Sequence, residues 1–325
     1  MALSLALAPD TPGRLRPLNI LRDLSSVADL IELCFRSTMD AEGRQYVQEM
    51  RRSAGNSNFL RWASRAVDTV SLPLAGYVWD DGGRIVGNIS LIPFTRNGRR
   101  TYLIANVATH PDYRRRGIGR LLTDTAMRHA RERQAASIWL HVRDDNPGAI
   151  KLYEELGFVE RARRTSWYAV PGTPVGGPAP DIVILPRRSA DWSQQTDWLQ
   201  RLYPRELNWY QTTTWNIFAS GFMKSMYRLV TDTSTEQWSA FEGDRLRGVL
   251  SVHFSRGRSD QLWAAVPTDG EQALYALLVY VRRRLSQQRA LAFDYPAYQA
   301  AELIRAAGFT VQRTLLWMQA PGAQL

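Results

Sequence analysis

The chain has 325 residues, of which 45% are apolar, and its formal net charge is +10. This length and composition indicate a globular protein with two domains. The single cysteine, Cys34, excludes an internal disulfide and a cysteine-only metal cluster, and the four histidines lack metal-ligand spacing, so no metal site is expected. The positive charge predicts affinity for anions, but the arginines are spread along the chain and form no recognisable nucleic-acid-binding module.

The N-terminal residues are apolar but have no basic start, and Asp10 and Pro12 interrupt them early. The segment is also too short to cross a membrane. We therefore expect residues 1–16 to form a flexible leader, with no membrane partner and a cytoplasmic location.

The next part of the chain alternates between extended and helical patterns. Residues 18–22 predict a short strand. Residues 23–35 predict a helix with Ser25 or Ser26 as its N-cap, which places Cys34 in the core. Residues 42–66 continue the helical pattern, with a break near residues 55–57.

A β-hairpin follows the helices. Apolar runs at residues 75–79 and 84–92 flank the sequence Asp80-Asp81-Gly82-Gly83, which is a strong turn signal. Beyond the hairpin, residues 102–109 predict a strand that ends at His110-Pro111, and the residues after position 120 have helical spacing.

Two glycines, Gly117 and Gly119, lie where this strand gives way to the helix. Glycine allows the backbone to approach a ligand closely. The first N–H groups of a helix favour an anion, and neighbouring arginines add positive charge. The pattern predicts a phosphate or pyrophosphate site. The alternative is an ordinary strand–helix turn in which the glycines serve tight packing.

The two common nucleotide-binding loops do not fit this stretch. The Walker A loop needs a Gly-Lys-Ser/Thr ending, and the Rossmann loop needs a third glycine where Leu122 stands. Residues 114–119 read Arg-x-x-Gly-x-Gly after His-Pro-Asp-Tyr, and they resemble motif A of the GNAT superfamily of N-acetyltransferases. Residues 146–158, NPGAIKLYEELGF, resemble motif B of that superfamily, in the same order and at about the same spacing.

The resemblance implies that the loop binds the pyrophosphate of acetyl-coenzyme A and that the preceding strand aligns its pantetheine arm. Tyr153 matches the tyrosine that protonates the departing thiolate, although a half-buried aromatic residue on an amphipathic helix would look the same. Asn146 matches a cofactor contact and is equally an N-cap before Pro147. The implied cofactor contacts are Val107, Ala108, Thr109, Arg114, Arg115, Arg116, Gly117, Ile118, Gly119, Arg120 and Asn146.

The general base is less clearly marked. Some members of the superfamily carry a glutamate on the strand before the loop, where this chain has Ala105 and Asn106, and neither can accept a proton usefully. In the ribosomal-protein alanine acetyltransferases a glutamate lies five residues before the motif B asparagine, which is the position of His141. A neutral imidazole is a competent base at physiological pH. The alternatives are a histidine that merely meets water at a strand edge, and deprotonation through a water chain.

Residues 171–180 are rich in Pro and Gly and predict a linker, beyond which the plan of the chain repeats. We expect an α/β (α+β) chain with two tandem GNAT-like domains, each a mixed, mostly antiparallel sheet flanked by helices. Residues 17–170 would be the catalytic domain and residues 181–325 a degenerate copy. The second copy lacks the arginine run and the second glycine, and carries Asp269 and Glu271, which would repel phosphate.

The expected function is transfer of an acetyl group from acetyl-coenzyme A to a primary amine of a small molecule, peptide or protein. The alternatives are an acyltransferase with a different acyl donor, and a non-catalytic coenzyme A sensor. The sequence indicates neither the acceptor nor the oligomeric state. An aromatic-rich stretch is expected to be mainly core, with some members as candidates for an acceptor cleft between the halves: Trp192, Trp198, Trp209, Tyr210, Trp215 and Phe218.

Overall fold

The computed structural model describes residues 13–56, 58, 60, 73–96, 98–179, 181–203, 207, 218, 235–254, 259–285 and 289–323. The chain forms two compact units. Unit 1 consists of Met1–Arg161 and Trp317–Leu325, and unit 2 consists of Ala162–Leu316. Within these described ranges, no helix combines the length and apolar character needed to cross a membrane.

Unit 1 is built from a sheet with helices packed against it. Its elements, in chain order, are β1 (Arg14–Pro17), α1 (Ile20–Phe35), α2 (Ala41–Ala54), β2 (Ala75–Asp81), β3 (Arg84–Arg96), β4 (Arg99–Thr109), α3 (Ile118–Glu132), β5 (Ser137–Arg143) and α4 (Pro147–Glu155). The strands lie in the order β1-β2-β3-β4-β5. Only the β4–β5 pair is parallel among these neighbours.

The start of unit 1 differs from the sequence prediction. Residues 18–22, predicted as a strand, lead into α1, whose N-cap Asn19 accepts a hydrogen bond from the Leu21 N–H at 3.1 Å. The predicted caps Ser25 and Ser26 therefore lie inside the helix. Residues 14–17, most of them expected in the leader, instead form β1, which pairs antiparallel with β2. The apolar run near the start of α1 has helical spacing as well as strand character, and the asparagine cap favours the helix.

The helices of unit 1 cover both faces of the sheet. Helices α1 and α2 form a core with Val78 and Ala108. Gly87 faces the other side, because a Cβ at this position would lie only 2.9 Å from the Ile118 side chain and 3.1 Å from that of Leu122, both on α3. Neighbouring residues of a strand point to opposite faces, so α3 packs opposite α1 and α2.

Unit 2 repeats this plan. Its elements are β6 (Val159–Ala169), β7 (Val183–Pro186), α5 (Trp192–Leu202), β8 (Thr235–Glu242), β9 (Arg245–His253), β10 (Ser259–Ala265), α6 (Glu271–Leu285), β11 (Ala290–Pro296), α7 (Ala301–Ala306) and β12 (Thr310–Pro321). β10 and β11 are parallel, whereas the β7–β8, β8–β9 and β9–β10 pairs are antiparallel. The predicted fold class, a mixed and mostly antiparallel sheet flanked by helices in each half, is confirmed.

Matching irregularities show that the two halves are copies. The β2–β3 hairpin has a register shift at Trp79/Asp80, and the β8–β9 hairpin has one at Ala240/Phe241, each just before the last two residue pairs. Gly248 lies three residues into its strand, as Gly87 does, and a Cβ there would lie 2.8 Å from Val266 and 3.1 Å from Leu277. Such shared departures from regular geometry indicate duplication more strongly than shared helices and strands do.

The boundaries of the two compact units do not coincide with the predicted linker at residues 171–180. From Ala162 onward β6 belongs to unit 2, where it pairs antiparallel with β11. From Trp317 onward β12 belongs to unit 1, where it lies beside β5. A unit boundary that falls within a strand leaves no local trace in the sequence. Residues 61–66 of the predicted second helix and the aromatic residues Trp209, Tyr210 and Trp215 lie outside the described part of the chain.

Candidate active site

The two central parallel strands of unit 1 separate partway along their length. β4 and β5 pair from Thr101 opposite Ser137 to Ile104 opposite Leu140, and across these fully described strands the pairing ends there. The remaining residues of β4, 105–109, and of β5, 141–143, therefore diverge. On the side that faces β5, the backbone of β4 at Val107, Ala108 and Thr109 therefore has no partner strand.

A β-bulge in β4 lies at the opening. Asn88 of β3 pairs with Ala108 and Ser90 pairs with Ala105, so two residues of β4 oppose one of β3. The first of these two is Asn106, with a left-handed φ of 52°, a conformation that asparagine adopts more readily than most residues. The bulge bends β4 away from the ladder just where it leaves β5.

The loop after β4 ends in the left-handed glycine predicted from the sequence. Gly117 is the N-cap of α3 with φ of 81°, and no described side chain caps that helix. The first N–H groups of α3, those of Ile118 and Gly119, therefore have no side-chain cap. Arg115 also has a positive φ, 63°. The first turn of α3 contains no acidic residue, so its positive dipole end is not neutralised.

The four loop arginines differ in their contacts. Arg114 donates to the Thr109 carbonyl at 3.3 Å, and Arg116 donates to the Asp112 carbonyl at 2.8 Å. Arg120 forms an ion pair with Glu155 of α4. Arg115 is exposed and makes no ion pair with any residue that the structure describes. Arg115 is therefore the arginine whose charge is most available to an anion at this loop.

Tyr153 is buried in α4, where its ring packs against Phe158 with centroids 6.0 Å apart. Burial raises the pKa of its phenol above the usual value and is the sole cause of the shift. No described residue forms a hydrogen bond with the hydroxyl or shifts its pKa through a nearby charge. The phenol therefore stays protonated at neutral pH.

Asn146 caps α4 by accepting a hydrogen bond from the Ala149 N–H at 3.2 Å. This is the N-cap role that the sequence offered as one of two interpretations of Asn146.

His141 is the first residue of β5 beyond the pairing with β4, so it stands at the opening. Its ring lies against Trp317, with centroids 5.0 Å apart. Trp317 lies close to the C-terminal end of the sequence, so this contact was not predicted from the sequence.

Cys34 is half-buried, and its thiol donates to the Thr109 carbonyl at 3.3 Å. Burial raises the pKa of Cys34, although Arg114 opposes that effect.

Sequence reasoning missed a polar group at the bulge. The Asn106 side chain lies 2.8 Å from the Tyr46 hydroxyl and 3.2 Å from the Ser90 hydroxyl. Asn88 donates to the Asn106 carbonyl at 2.9 Å. The asparagine and serine on an otherwise apolar strand were the available signal. The contact with Tyr46 depends on how α2 packs, so it could not be predicted from the sequence.

No group of three or more metal-ligating side chains occurs among the described residues.

Unit 2 has the same opening but different residues. Within the described residues β10 and β11 pair from Ser259 to Gln261, and beyond Gln261 they also diverge. Gly308 ends α7 with φ of 84°, as Gly157, with φ of 88°, follows α4. This equivalence places Ile304 where unit 1 has Tyr153, because Phe309 N–H and Phe158 N–H donate to the carbonyls of these two residues. The first turn of α6 carries Glu271.

Residues 33–158 match the model of the acetyltransferase (GNAT) family. The [ribosomal protein bS18]-alanine N-acetyltransferase of Escherichia coli (strain K12) is 44% identical over 63 residues, covering 19% of this chain and 43% of that relative. The N-alpha-acetyltransferase RimI of Mycobacterium tuberculosis (strain ATCC 25618 / H37Rv) is 33% identical over 91 residues, covering 28% of this chain and 56% of that relative. The matched stretch thus spans less than two thirds of either relative.

A comparison of folds covers nearly the whole chain. The crystal structure of a GCN5-related N-acetyltransferase from Sphaerobacter thermophilus aligns with 97% of this chain and 98% of its own length, with a TM-score of 0.55 and 16% identity. This likeness shows the fold. The first copy therefore matches the acetyltransferase (GNAT) family model over residues 33–158, and the duplicated architecture gives the chain a tandem GNAT-like fold.

Proposed function

We propose that this protein is an acetyl-coenzyme A-dependent N-acetyltransferase whose first copy carries the active site. The observation that carries the proposal is the combination of diverging strands, bulge and uncapped helix in unit 1. Residues 105–109 have no β5 partner in the ladder, so the β5-facing side of this backbone, at Val107 and Ala108 above all, would pair with the pantetheine amides. The uncapped α3, with Gly117 as its left-handed N-cap, offers N–H groups to the diphosphate.

The cofactor would be held mainly by backbone. Val107, Ala108 and Thr109 would align the pantetheine arm, and the amides from Arg115 to Arg120 would bind the diphosphate. Gly119 allows the ligand to approach, because a Cβ there would meet nothing closer than 3.7 Å in the protein itself. Asn146 would contact the cofactor from the start of α4 while capping that helix.

In the reaction, the acceptor nitrogen attacks the thioester carbonyl carbon, and the carbon–sulfur bond breaks. The thiolate must then gain a proton and the nitrogen must lose one. Tyr153 would donate the proton to the sulfur, because burial keeps its phenol protonated. His141, at the mouth of the opening, would receive the proton from the nitrogen directly or through water.

The second copy would not catalyse this reaction. Ile304 has no proton to give at the position of Tyr153, and the acidic Glu271 stands in the first helical turn, where a phosphate would be repelled. Aromatic side chains also fill the core near the diverging strands of unit 2, with the Tyr203 and Trp263 rings 5.1 Å apart.

Gly119→Ala tests the proposal with a matched control. The added methyl group has room in the free protein but would occupy the ligand cradle, so we expect acetyl-coenzyme A affinity to fall at least tenfold without loss of stability. Gly148→Ala adds the same methyl group to the first turn of α4, where the nearest atom is 4.0 Å away, and should leave affinity nearly unchanged. Equal affinities in both variants would refute the proposed cradle.

Thiol release over a panel of amines tests the activity itself. Release that depends on an amine supports an acyltransferase, and comparison of acetyl-coenzyme A with longer acyl thioesters identifies the donor. Binding of acetyl-coenzyme A without thiol release on any amine would contradict the proposed activity and would favour a coenzyme A sensor.

A further inference from the structure

Asn88 of β3 holds the backbone of β4 at the bulge. Its side-chain amide donates a hydrogen bond to the main-chain carbonyl of Asn106 at 2.9 Å. The extra residue of a bulge leaves the regular ladder, so its backbone groups need other partners. An amide oxygen would be repelled by that carbonyl, so only the nitrogen of the Asn88 amide can face it. Asn88 therefore makes a hydrogen bond that the β3–β4 ladder does not provide at Asn106.

This hydrogen bond leaves the oxygen of the Asn88 amide without a partner. Asn88 is fully buried, and its Oδ1 forms no hydrogen bond within the described part of the chain. Asn106 adds a second unfavourable feature, since its φ of 52° lies in the left-handed region. Buried polar atoms are nearly always paired and left-handed residues are uncommon, because each departure lowers stability. Two such features at one point of a sheet indicate a local geometry that serves function rather than stability.

The second copy has neither feature at the equivalent position. Counting from the matched glycines Gly87 and Gly248, Val249 stands where the first copy has Asn88. β9 and β10 pair one to one without a register shift, and no residue of β10, which is described in full, has a positive φ. β10 and β11 nevertheless diverge. The bulge is therefore not needed to open the sheet, and what it adds is a particular direction of the β4 backbone.

The peptide group that Asn88 holds is the one between Asn106 and Val107. Its carbonyl belongs to Asn106, and its N–H belongs to Val107, the first residue of the backbone proposed to align the pantetheine arm. In a trans peptide the N–H and the carbonyl point in opposite directions. Because this carbonyl faces Asn88 of β3, the Val107 N–H is directed away from β3, towards the side of β4 that has no β5 partner.

We propose that Asn88 is a positioning residue that aims the Val107 N–H at the pantetheine arm of acetyl-coenzyme A. This inference rests on the proposed acetyltransferase activity. Asn88 is fully buried and does not touch the cofactor, so it acts through the peptide group that it holds. Without the amide, the peptide group can rotate, and its N–H no longer meets an oxygen of the arm. The diphosphate would be bound elsewhere, by α3, so loss of Asn88 weakens only the pantetheine part of binding.

Calorimetry of Asn88→Val with two ligands tests the proposal. Acetyl-coenzyme A carries both the diphosphate and the pantetheine arm, whereas adenosine diphosphate carries a diphosphate alone. We expect the affinity for acetyl-coenzyme A to fall about tenfold, the size of one lost hydrogen bond, and that for adenosine diphosphate to stay the same. Equal losses for both ligands would indicate a general distortion and overturn the proposal, as would an unchanged affinity for acetyl-coenzyme A.

Ser90→Ala is the matched control on the same strand. Ser90 is also buried, but it accepts a hydrogen bond from the side chain of Asn106, at 3.2 Å, and leaves the carbonyl of that residue to Asn88. The affinities of Ser90→Ala for both ligands should be nearly unchanged. A loss of acetyl-coenzyme A affinity equal to that in Asn88→Val would show that the Asn106 side chain sets the binding, and would overturn the proposal.

Amide hydrogen exchange of the wild-type protein tests the direction of the Val107 N–H without any variant. We expect acetyl-coenzyme A to slow exchange at Val107 several-fold, because the arm accepts its hydrogen bond, and adenosine diphosphate to leave it unchanged. Unchanged exchange at Val107 with acetyl-coenzyme A bound would overturn the inference but leave the acetyltransferase intact. A wild-type protein that does not bind acetyl-coenzyme A would instead contradict the proposed function.

Discussion

Replacing Tyr153 by phenylalanine separates its chemical role from its packing role. The residue is 6% exposed, and its ring contacts Phe158 whether or not the hydroxyl is present. Burial alone shifts its pKa, so the hydroxyl has no described partner to lose. Removing an unpaired buried hydroxyl should change the free energy of unfolding by no more than about 1 kcal/mol. Removing a general acid should lower kcat by about 10²–10⁴-fold.

The assay is thiol release at saturating acetyl-coenzyme A, together with calorimetric affinity and urea unfolding of the same protein. Tyr77→Phe is the matched control, because the Tyr77 hydroxyl bonds to His129 at 2.9 Å and takes no part in the proposed chemistry. We expect the Tyr153→Phe protein to bind acetyl-coenzyme A normally and to turn over slowly. An unchanged kcat would remove Tyr153 from the acid role, and an equal loss in both variants would point to a structural effect.

Three further predictions concern the loop and the start of the chain. Arg115→Gly should weaken acetyl-coenzyme A binding about tenfold by calorimetry but raise the free energy of unfolding, because glycine relieves the left-handed φ of 63°; a parallel change in both quantities would contradict the assignment. Gly117→Ala should cost about 1–2 kcal/mol of unfolding free energy at φ of 81° and also weaken binding; a stabilised variant would refute the conformation. Burial raises the pKa of Asp23, but hydrogen bonds from Arg16, the Asn19 N–H and Arg22 outweigh it and lower the pKa to about 2. Its stabilisation is therefore present above about pH 4 and lost as the pH falls through 2, so Asp23→Asn should cost about 2 kcal/mol near pH 7 in urea unfolding and well under about 1 kcal/mol near pH 2; a constant difference across this range would contradict the linkage.

Local patterns predicted most of the elements of unit 1. The turn at residues 80–83 and the glycines at 117 and 119 are strong signals because each requires a particular backbone conformation. The strand predicted at residues 18–22 was wrong, because a short apolar run fits both a strand and the first turn of a helix, and Asn19 decides in favour of the helix. β1 depends on its pairing with β2, which a local pattern does not contain.

The geometry of the candidate site was predictable where it depends on the glycines of the loop. The left-handed Gly117 at the start of α3 follows from their spacing, whereas the bulge at Asn106 follows from the register of β3 against β4. The contact between His141 and Trp317 joins residues far apart in sequence. Tyr46 meets Asn106 only because α2 packs over that strand. Such features arise from tertiary packing, so they had to be read from the structure.

The central claim is that the first copy alone offers a free helix N-terminus and open strand backbone to the diphosphate and pantetheine of acetyl-coenzyme A. Calorimetric titration of the full chain with acetyl-coenzyme A tests this claim most directly, because the number of sites is measured together with the affinity. The account predicts one site per chain, lost or strongly weakened in Gly119→Ala and retained in Gly148→Ala. No heat of binding, or two sites per chain, would contradict it.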